Sequence, residues 1–494
     1  MDKDKKSFNQ FFLLASARIC GILFSIAIPM YLGRMLRVET YGTYKQIMLF
    51  FWFSQVALNL GVDDSIYNFL KWNPERFPLY SFNAMVFNIM TSGILWFFLV
   101  AYKNEIAHLV RNPNLAQYLP ILGYLILTTI CSMQIEGMLI VGLNRFNERL
   151  IVDIGTELLK SFAVIGAFYF FNSIYIALVF LSLIMTIRLL TTIIIIHSVK
   201  KSSGLSYGDA PQYFMSQVSY GVPLGASRIM QNILNMDNFF ISRFFNLTQF
   251  TFYSVGCFEN PIVNATRSSM FELVNMEMVE AVKDGDFQKA THAWRSMTRK
   301  LFLVIVPFAT YMVFFSKELI VFFFSKKYLS SVPFFMIFNI FFFVGALNPE
   351  PFFRSTSKTK LALKIKMFGL LLGLFLLVGG AYVGGPIYAL AGKILGVFIM
   401  NVIGLYFGAK LLGTTIDKLF QWKDLFLVFI VSTFLSIITR IIFWNMSWNI
   451  FFVLALSFTF YFTVHFILSC YLNLIKEDEI FYLKSKIQRL ILKR

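Results

Sequence analysis

Seven cations stand inside long apolar stretches of this 494-residue chain: Arg18, Lys160, Arg188, Arg228, Arg267, Lys393 and Arg440. A charge in the middle of a membrane helix costs roughly 2.5 to 3.5 kcal/mol, so exposing all of them to lipid would cost on the order of 20 kcal/mol. Each therefore needs water, a partner or a ligand. Arg188 and Arg440 lie near the ends of their stretches and are predicted to snorkel. Lys160 follows Glu157 by three residues, the spacing of an intrahelical ion pair. Lys393 has no acid near it in sequence and calls for a partner on another helix or a cavity. Arg18, Arg228 and Arg267 fall on helices rich in Ser, Asn and Gln. Brought together, with Lys160 and Lys393 beside them, they would form a cationic substrate site for a phosphate or pyrophosphate, which guanidinium groups bind through paired hydrogen bonds. The second reading of the same arginines is ion pairing to Asp63, Asp64, Asp237, Glu259 or Glu272. Those acids have two readings of their own: neutralising the arginines, or carrying a proton that couples transport to an ion gradient.

The elements that must position these residues are membrane helices. The chain is 57% hydrophobic and 14% charged, where a soluble chain is about one quarter charged, so a soluble globular protein is excluded. Runs of about 20 apolar residues predict an all-α polytopic fold with fourteen spans, near 8–32, 44–70, 80–102, 117–142, 150–171, 173–197, 216–241, 250–276, 297–316, 330–352, 362–383, 386–409, 424–443 and 448–473. Spans 44–70 and 250–276 are too polar to face lipid and are expected to line an interior cavity. The charged start and Arg18 do not fit a cleaved signal, so the first run is expected to remain as a helix. Pro29, Pro223, Pro261, Pro307 and Pro349 are expected to interrupt spans. Gly369-x3-Gly373, Gly392-x3-Gly396 and Gly404-x3-Gly408 read as close helix packing.

The net charge of +18 is spread from end to end rather than gathered in one solvated patch, which argues against a nucleic-acid partner. Lys and Arg favour one set of loops about threefold, placing both termini in the cytoplasm. Residues 474–494 form a basic amphipathic pattern suited to anionic membrane lipids. The expected organisation is an N-terminal lobe 1–197 with spans one to six, a cytoplasmic linker 198–213, a C-terminal lobe 214–410 with spans seven to twelve, two further spans in 411–473, and the tail. An internal repeat supports the two lobes: at an offset of 209, Arg34 aligns with Arg243, Tyr41 with Phe250, Tyr44 with Tyr253 and Asp63 with Glu272. Scattered cysteines and histidines offer no metal site, and no Walker, dinucleotide or His-Glu-x-x-His motif is present, so neither a cofactor nor an enzyme is expected.

The first-loop sequence Tyr31-Leu-Gly-Arg34-x-Leu36, then Glu39-x-Tyr41-Gly42-x-Tyr44 and Leu60-Gly61, resembles the polysaccharide-transporter branch of the multidrug/oligosaccharidyl-lipid/polysaccharide exporter superfamily, which includes O-antigen and capsule repeat-unit flippases. The second-lobe copy departs from it, with Thr251 in place of Gly42. The resemblance implies a two-lobed alternating-access flippase in a bacterial inner membrane. Its substrate would be an undecaprenyl-pyrophosphate-linked oligosaccharide, with Arg18, Arg228 and Arg267 matching the cationic cavity of such proteins in type and helix. A proton or sodium coupling ion and other polysaccharide-assembly membrane proteins are further candidate partners. A drug or metabolite cation antiporter of the same superfamily is the alternative, with a membrane-embedded polymerase or glycosyltransferase behind it.

Overall fold

The computed structural model describes residues 26–58, 60–63, 65, 66, 69, 74–133, 146–203, 206–233, 237–258, 260–444 and 448–475. Among these residues the regular structure is helical and no strand occurs. The chain divides into two compact units, residues 1–251 and 252–494.

The first unit contains α1 (Val38–Leu58), α2 (Phe77–Ala101), α3 (Leu119–Ser132), α4 (Phe146–Phe171), α5 (Ile174–Ser203), α6 (Pro211–Ile233) and α7 (Asp237–Phe244). The boundary falls inside α8 (Leu247–Gly256). The second unit continues with α9 (Pro261–Lys283), α10 (Phe287–Phe314), α11 (Val332–Gly345), α12 (Glu350–Ser355), α13 (Thr359–Gly384), α14 (Pro386–Leu411), α15 (Trp422–Phe443) and α16 (Ile450–Tyr471). Among the described residues, eight helical stretches are long and apolar enough to cross a membrane: Phe77–Ala101, Ile174–Ser198, Phe287–Phe314, Lys326–Ser355, Lys360–Gly384, Pro386–Leu411, Trp422–Phe443 and Ile450–Tyr471.

Burial follows the logic of a protein whose solvent is lipid. Large apolar side chains such as Phe97, Phe170, Leu371, Phe375 and Val383 point outward, while Gln46, Asn88, Gln217 and Asn401 are buried. With no water in the hydrocarbon layer, polar groups gain only where another protein group meets them.

The two polar spans are each broken. Gly61 takes a left-handed φ of +75° after the end of α1, and the 250–276 span divides into α8 and α9, the latter starting on Pro261. Proline suits a first helical position because that N–H has no partner in any case. Pro223 and Pro307, expected to interrupt spans, lie inside continuous α6 and α10; neighbouring helices can shelter the freed carbonyl. Residues 206–213 are fastened to α2: Phe82 stacks on Tyr207 at 4.6 Å, and Asn83 donates to the Ala210 carbonyl at 2.7 Å.

A similar local break occurs at the two aligned positions. Helical residues 26–35 give way to α1 through a two-residue break at 36 and 37, and α7 gives way to α8 through the same break at 245 and 246. Leu36 N–H donates to Leu32 O and Tyr41 N–H to Arg37 O, both at 2.9 Å. The equivalent bonds, 209 residues later, run from Phe245 to Ile241 at 3.0 Å and from Phe250 to Asn246 at 2.9 Å. The two copies also touch: a Cβ placed on Gly42 would collide with Thr251 Oγ1 and lie 3.0 Å from Leu247 Cδ1. Close by, Gln46 donates to Ser242 Oγ at 2.8 Å and accepts from Asn112 at 2.7 Å.

Candidate functional site

Several of the cations have visible surroundings. Three meet carboxylates. Lys160 pairs with Glu157 on the same helix. Arg188, expected to snorkel, instead reaches Asp153 on the neighbouring α4 at 2.9 Å. Arg440, also expected to snorkel, pairs with Glu318 at 2.9 Å and lies over the rings of Phe315 and Trp444. Packed helices bring an acid within reach of each, and a paired guanidinium over an aromatic face needs no path to water.

Arg267 and Lys393 both approach the last turn of α11. The Arg267 side chain extends from α9 to Gly345, where a Cβ would lie 2.5 Å from its Nη1; the missing side chain leaves the guanidinium its room. Lys393, buried on α14, holds its ammonium 5.8 Å from the centre of the Phe341 ring. Residues 341 and 345 are one helical turn apart on one face, about 6 Å along the axis. Asn401, two turns beyond Lys393 on α14, donates to the Val344 carbonyl at 2.9 Å. The carboxyl end of a helix carries a partial negative charge and carbonyls without intrahelical partners. Donors from α9 and α14 therefore approach this end of α11 inside the second unit: the Arg267 guanidinium at Gly345 and the Asn401 amide at Val344, with the Lys393 ammonium near the Phe341 ring.

In the first unit the polar residues form a connected network. Asn88 donates to both Asp63 oxygens, at 3.0 and 3.2 Å. One turn earlier on α2, Asn83 donates to Gln217 Oε1 at 3.0 Å, and Gln217 in turn donates to Ser65 Oγ and the Tyr80 carbonyl, each at 3.1 Å. This joins residues 63–66, α2 and α6. Close backbone approach makes it possible: a Cβ on Gly221 would fall 2.7 Å from Gly61 C, and one on Gly225 would strike Leu60. Asp237 is buried in the first turn of α7, where the helix dipole favours an acid. Glu272 is exposed on α9. The backbone of Arg228 lies in α6. Arg18, Asp64 and Glu259 lie outside the described residues, as does the basic tail 476–494.

Sequence reasoning missed Asn401, Gly345, Gln217 and the Gly221-x3-Gly225 pair. The glycine pair carries the small-x3-small signature and could have been found; Asn401 and Gly345 gain meaning only from the helix they meet. Of the three glycine pairs expected to pack closely, Gly392 meets Leu376 and Gly396 meets Gly373 of the adjoining helix, Gly404 and Gly408 meet Pro349 and Phe352, and Gly369 meets Met400, while a Cβ on Gly373 would meet open space.

The sequence matches the family described as polysaccharide biosynthesis protein over residues 31–333, more than half of the chain. Comparison with curated protein sequences finds no match. Among solved structures, the chain is similar to the lipid II flippase MurJ in its inward closed conformation, with a TM-score of 0.69 at 14% identity, over 94% of this chain and 99% of that one. It is similar to an inward-facing multidrug resistance MATE family transporter of the MOP superfamily, with a TM-score of 0.61 at 11% identity, over 80% and 94%. A mutant of the Vibrio cholerae MATE transporter VcmN gives 0.52 at 14% identity, over 83% and 98%. At these identities the likeness establishes a shared polytopic fold.

Proposed function

Because the chain belongs to the polysaccharide biosynthesis protein family, we propose that it is a flippase for an undecaprenyl-pyrophosphate-linked oligosaccharide: an O-antigen, capsule or exopolysaccharide repeat unit. It would carry this substrate across a bacterial inner membrane by alternating access, with both termini cytoplasmic. The observation that carries the reading is the pair of cations, Arg267 and Lys393, at adjacent turns of α11. A fork-shaped guanidinium and a point-like ammonium approaching one helix suit the two phosphates of a pyrophosphate and can bind them unequally. Arg18 and Arg228 are further candidate substrate contacts in this proposal. Lys160 is held by Glu157 and would join only by exchanging that pair. An inside-negative potential drives an anion outward, by roughly 2.3 kcal/mol per charge across 100 mV. Asp63, Asp64, Asp237, Glu259 and Glu272 are the candidates for proton or sodium coupling.

The test is export in a deletion strain complemented with variants. Arg18→Ala and Arg267→Ala are expected to abolish export and to accumulate the lipid-linked intermediate, read by mass spectrometry, while the protein inserts at normal levels. Unchanged export in both would overturn the cationic-cavity reading. The MATE-like fold also supports a drug or metabolite cation antiporter. A deletion strain with altered drug susceptibility and no accumulated lipid intermediate would favour that second reading.

A further inference from the structure

The second unit contains a cavity of about 660 Å³ that shares no residue with the cations above. One wall is the polar beginning of α10, where Thr291, His292 and Arg295 fall on one face at helical spacing. The other is the turn that ends α14, with Thr414, and the short helix Ile416–Leu419, which supplies Lys418 and packs against both α10 and α14. Lys289 also borders the cavity. Its single carboxylate, Asp286, caps α10 by accepting from the Lys289 backbone N–H at 2.8 Å. Three fixed cations and a histidine thus face one acid that is already engaged. Among the described residues none of the four forms an ion pair, and Arg295 Nε is buried without a hydrogen-bond partner.

The cavity lies where membrane helices meet water. Arg295 precedes the apolar half of α10, which starts at Leu301, by six residues, about 9 Å of helix. The headgroup zone of a bilayer begins within that distance of the hydrocarbon. Trp422, exposed at the start of α15, is the amphipathic aromatic expected at that level.

We propose that this cavity binds a phosphate-bearing anion at the membrane surface, with Arg295 and Lys418 as its principal cationic contacts and Thr414 as a hydroxyl donor; the Thr291 hydroxyl is already given to the Phe287 carbonyl at 2.8 Å. The shared chemistry is a phosphate group, whether the phosphodiester of an anionic phospholipid or a soluble phosphate. Basic pockets between membrane helices are suited to this chemistry. The proposal does not depend on the transported substrate.

The full-length protein, reconstituted in nanodiscs of phosphatidylcholine and phosphatidylglycerol in equal amounts, is assayed by native mass spectrometry for retained lipid. A second arm measures saturable binding of labelled pyrophosphate to delipidated protein in detergent. Arg295→Gln/Lys418→Gln is expected to lower phosphatidylglycerol retention, or pyrophosphate binding, at least fivefold, and the first or second outcome identifies the source as lipid or soluble. Lys418→Gln alone, at an exposed position, gives a partial loss if the double variant does not fold. A control, Lys326→Gln/Lys327→Gln, is expected to change neither. Equal binding by wild type and the Lys418 and double variants in both arms, or an equal fall in the control, overturns the proposal.

Discussion

The contact between the two copies of the repeat can be tested by exchanging its residues. Gly42 and Thr251 are equivalent positions 209 apart, both buried, and there is room for only one side chain between them. Gly42→Thr would bring two β-branched residues together where a single Cβ already collides. Overpacking of this kind costs about 1–3 kcal/mol, and the small helix-propensity gain over glycine, a few tenths of a kcal/mol, does not offset it. Thr251→Gly would leave a void and a flexible residue in α8, for about 1–2 kcal/mol. The exchanged pair, Gly42→Thr with Thr251→Gly, puts the side chain back from the other side. The Thr251 hydroxyl donates to the Leu247 carbonyl at 2.7 Å; the hydroxyl introduced by Gly42→Thr would have the carbonyl of Val38, the residue 209 before Leu247, in its place. Converted at about 2–4 °C per kcal/mol for units of this size, Gly42→Thr should lower the melting temperature of detergent-solubilised protein by about 2–12 °C. The exchange should return to within about 2 °C of the parent. Fluorescence-detected size-exclusion after heating gives the measurement. If the exchange is as unstable as the sum of the two single variants, the equivalence and contact of these positions are refuted.

The paired cations should behave as structure rather than as substrate contacts. Arg440→Gln, by separating Glu318 from its partner, is expected to lower the melting temperature by several degrees while export per inserted molecule stays within about twofold, measured with a protein-level control; Arg267→Ala is expected to show the reverse pattern. Gln217→Leu should destabilise the first unit by about 1–3 kcal/mol, because it leaves Asn83 and the Tyr80 carbonyl without their buried partner; an unchanged melting temperature would show that the network is not a stabilising one.

How much of this was legible in the sequence depends on how local each signal is. The Glu157–Lys160 pair was readable because both residues lie on one helix, three apart. Arg188 and Arg440 were misread because their acids, Asp153 and Glu318, lie 35 and 122 residues away and only packing delivers them. The repeat offset was readable from Arg34, Tyr41 and Tyr44 with their counterparts, since the same local break must recur in both copies. The interruption of 44–70 at Gly61 was not, because that stretch has no proline and its polar residues read as the lining of a cavity rather than as a turn. Arg267 and Lys393 stood out as cations in apolar surroundings, and the structure buries or half-buries both. That both attend the same helix end depended on α11, an almost wholly apolar segment with nothing in its own sequence to announce a polar role.

The touching of residues 42 and 251 has a consequence for how the chain could have diverged. In a dimer of identical subunits, a position lying on the two-fold axis meets its own copy, so every substitution there enters twice. Glycine opposite glycine leaves a gap, and threonine opposite threonine collides. A single chain carrying both copies escapes that restriction, because each position can change alone. A glycine–threonine contact at aligned positions is one that identical subunits meeting on a two-fold axis could not hold, and a single polypeptide carrying both copies can.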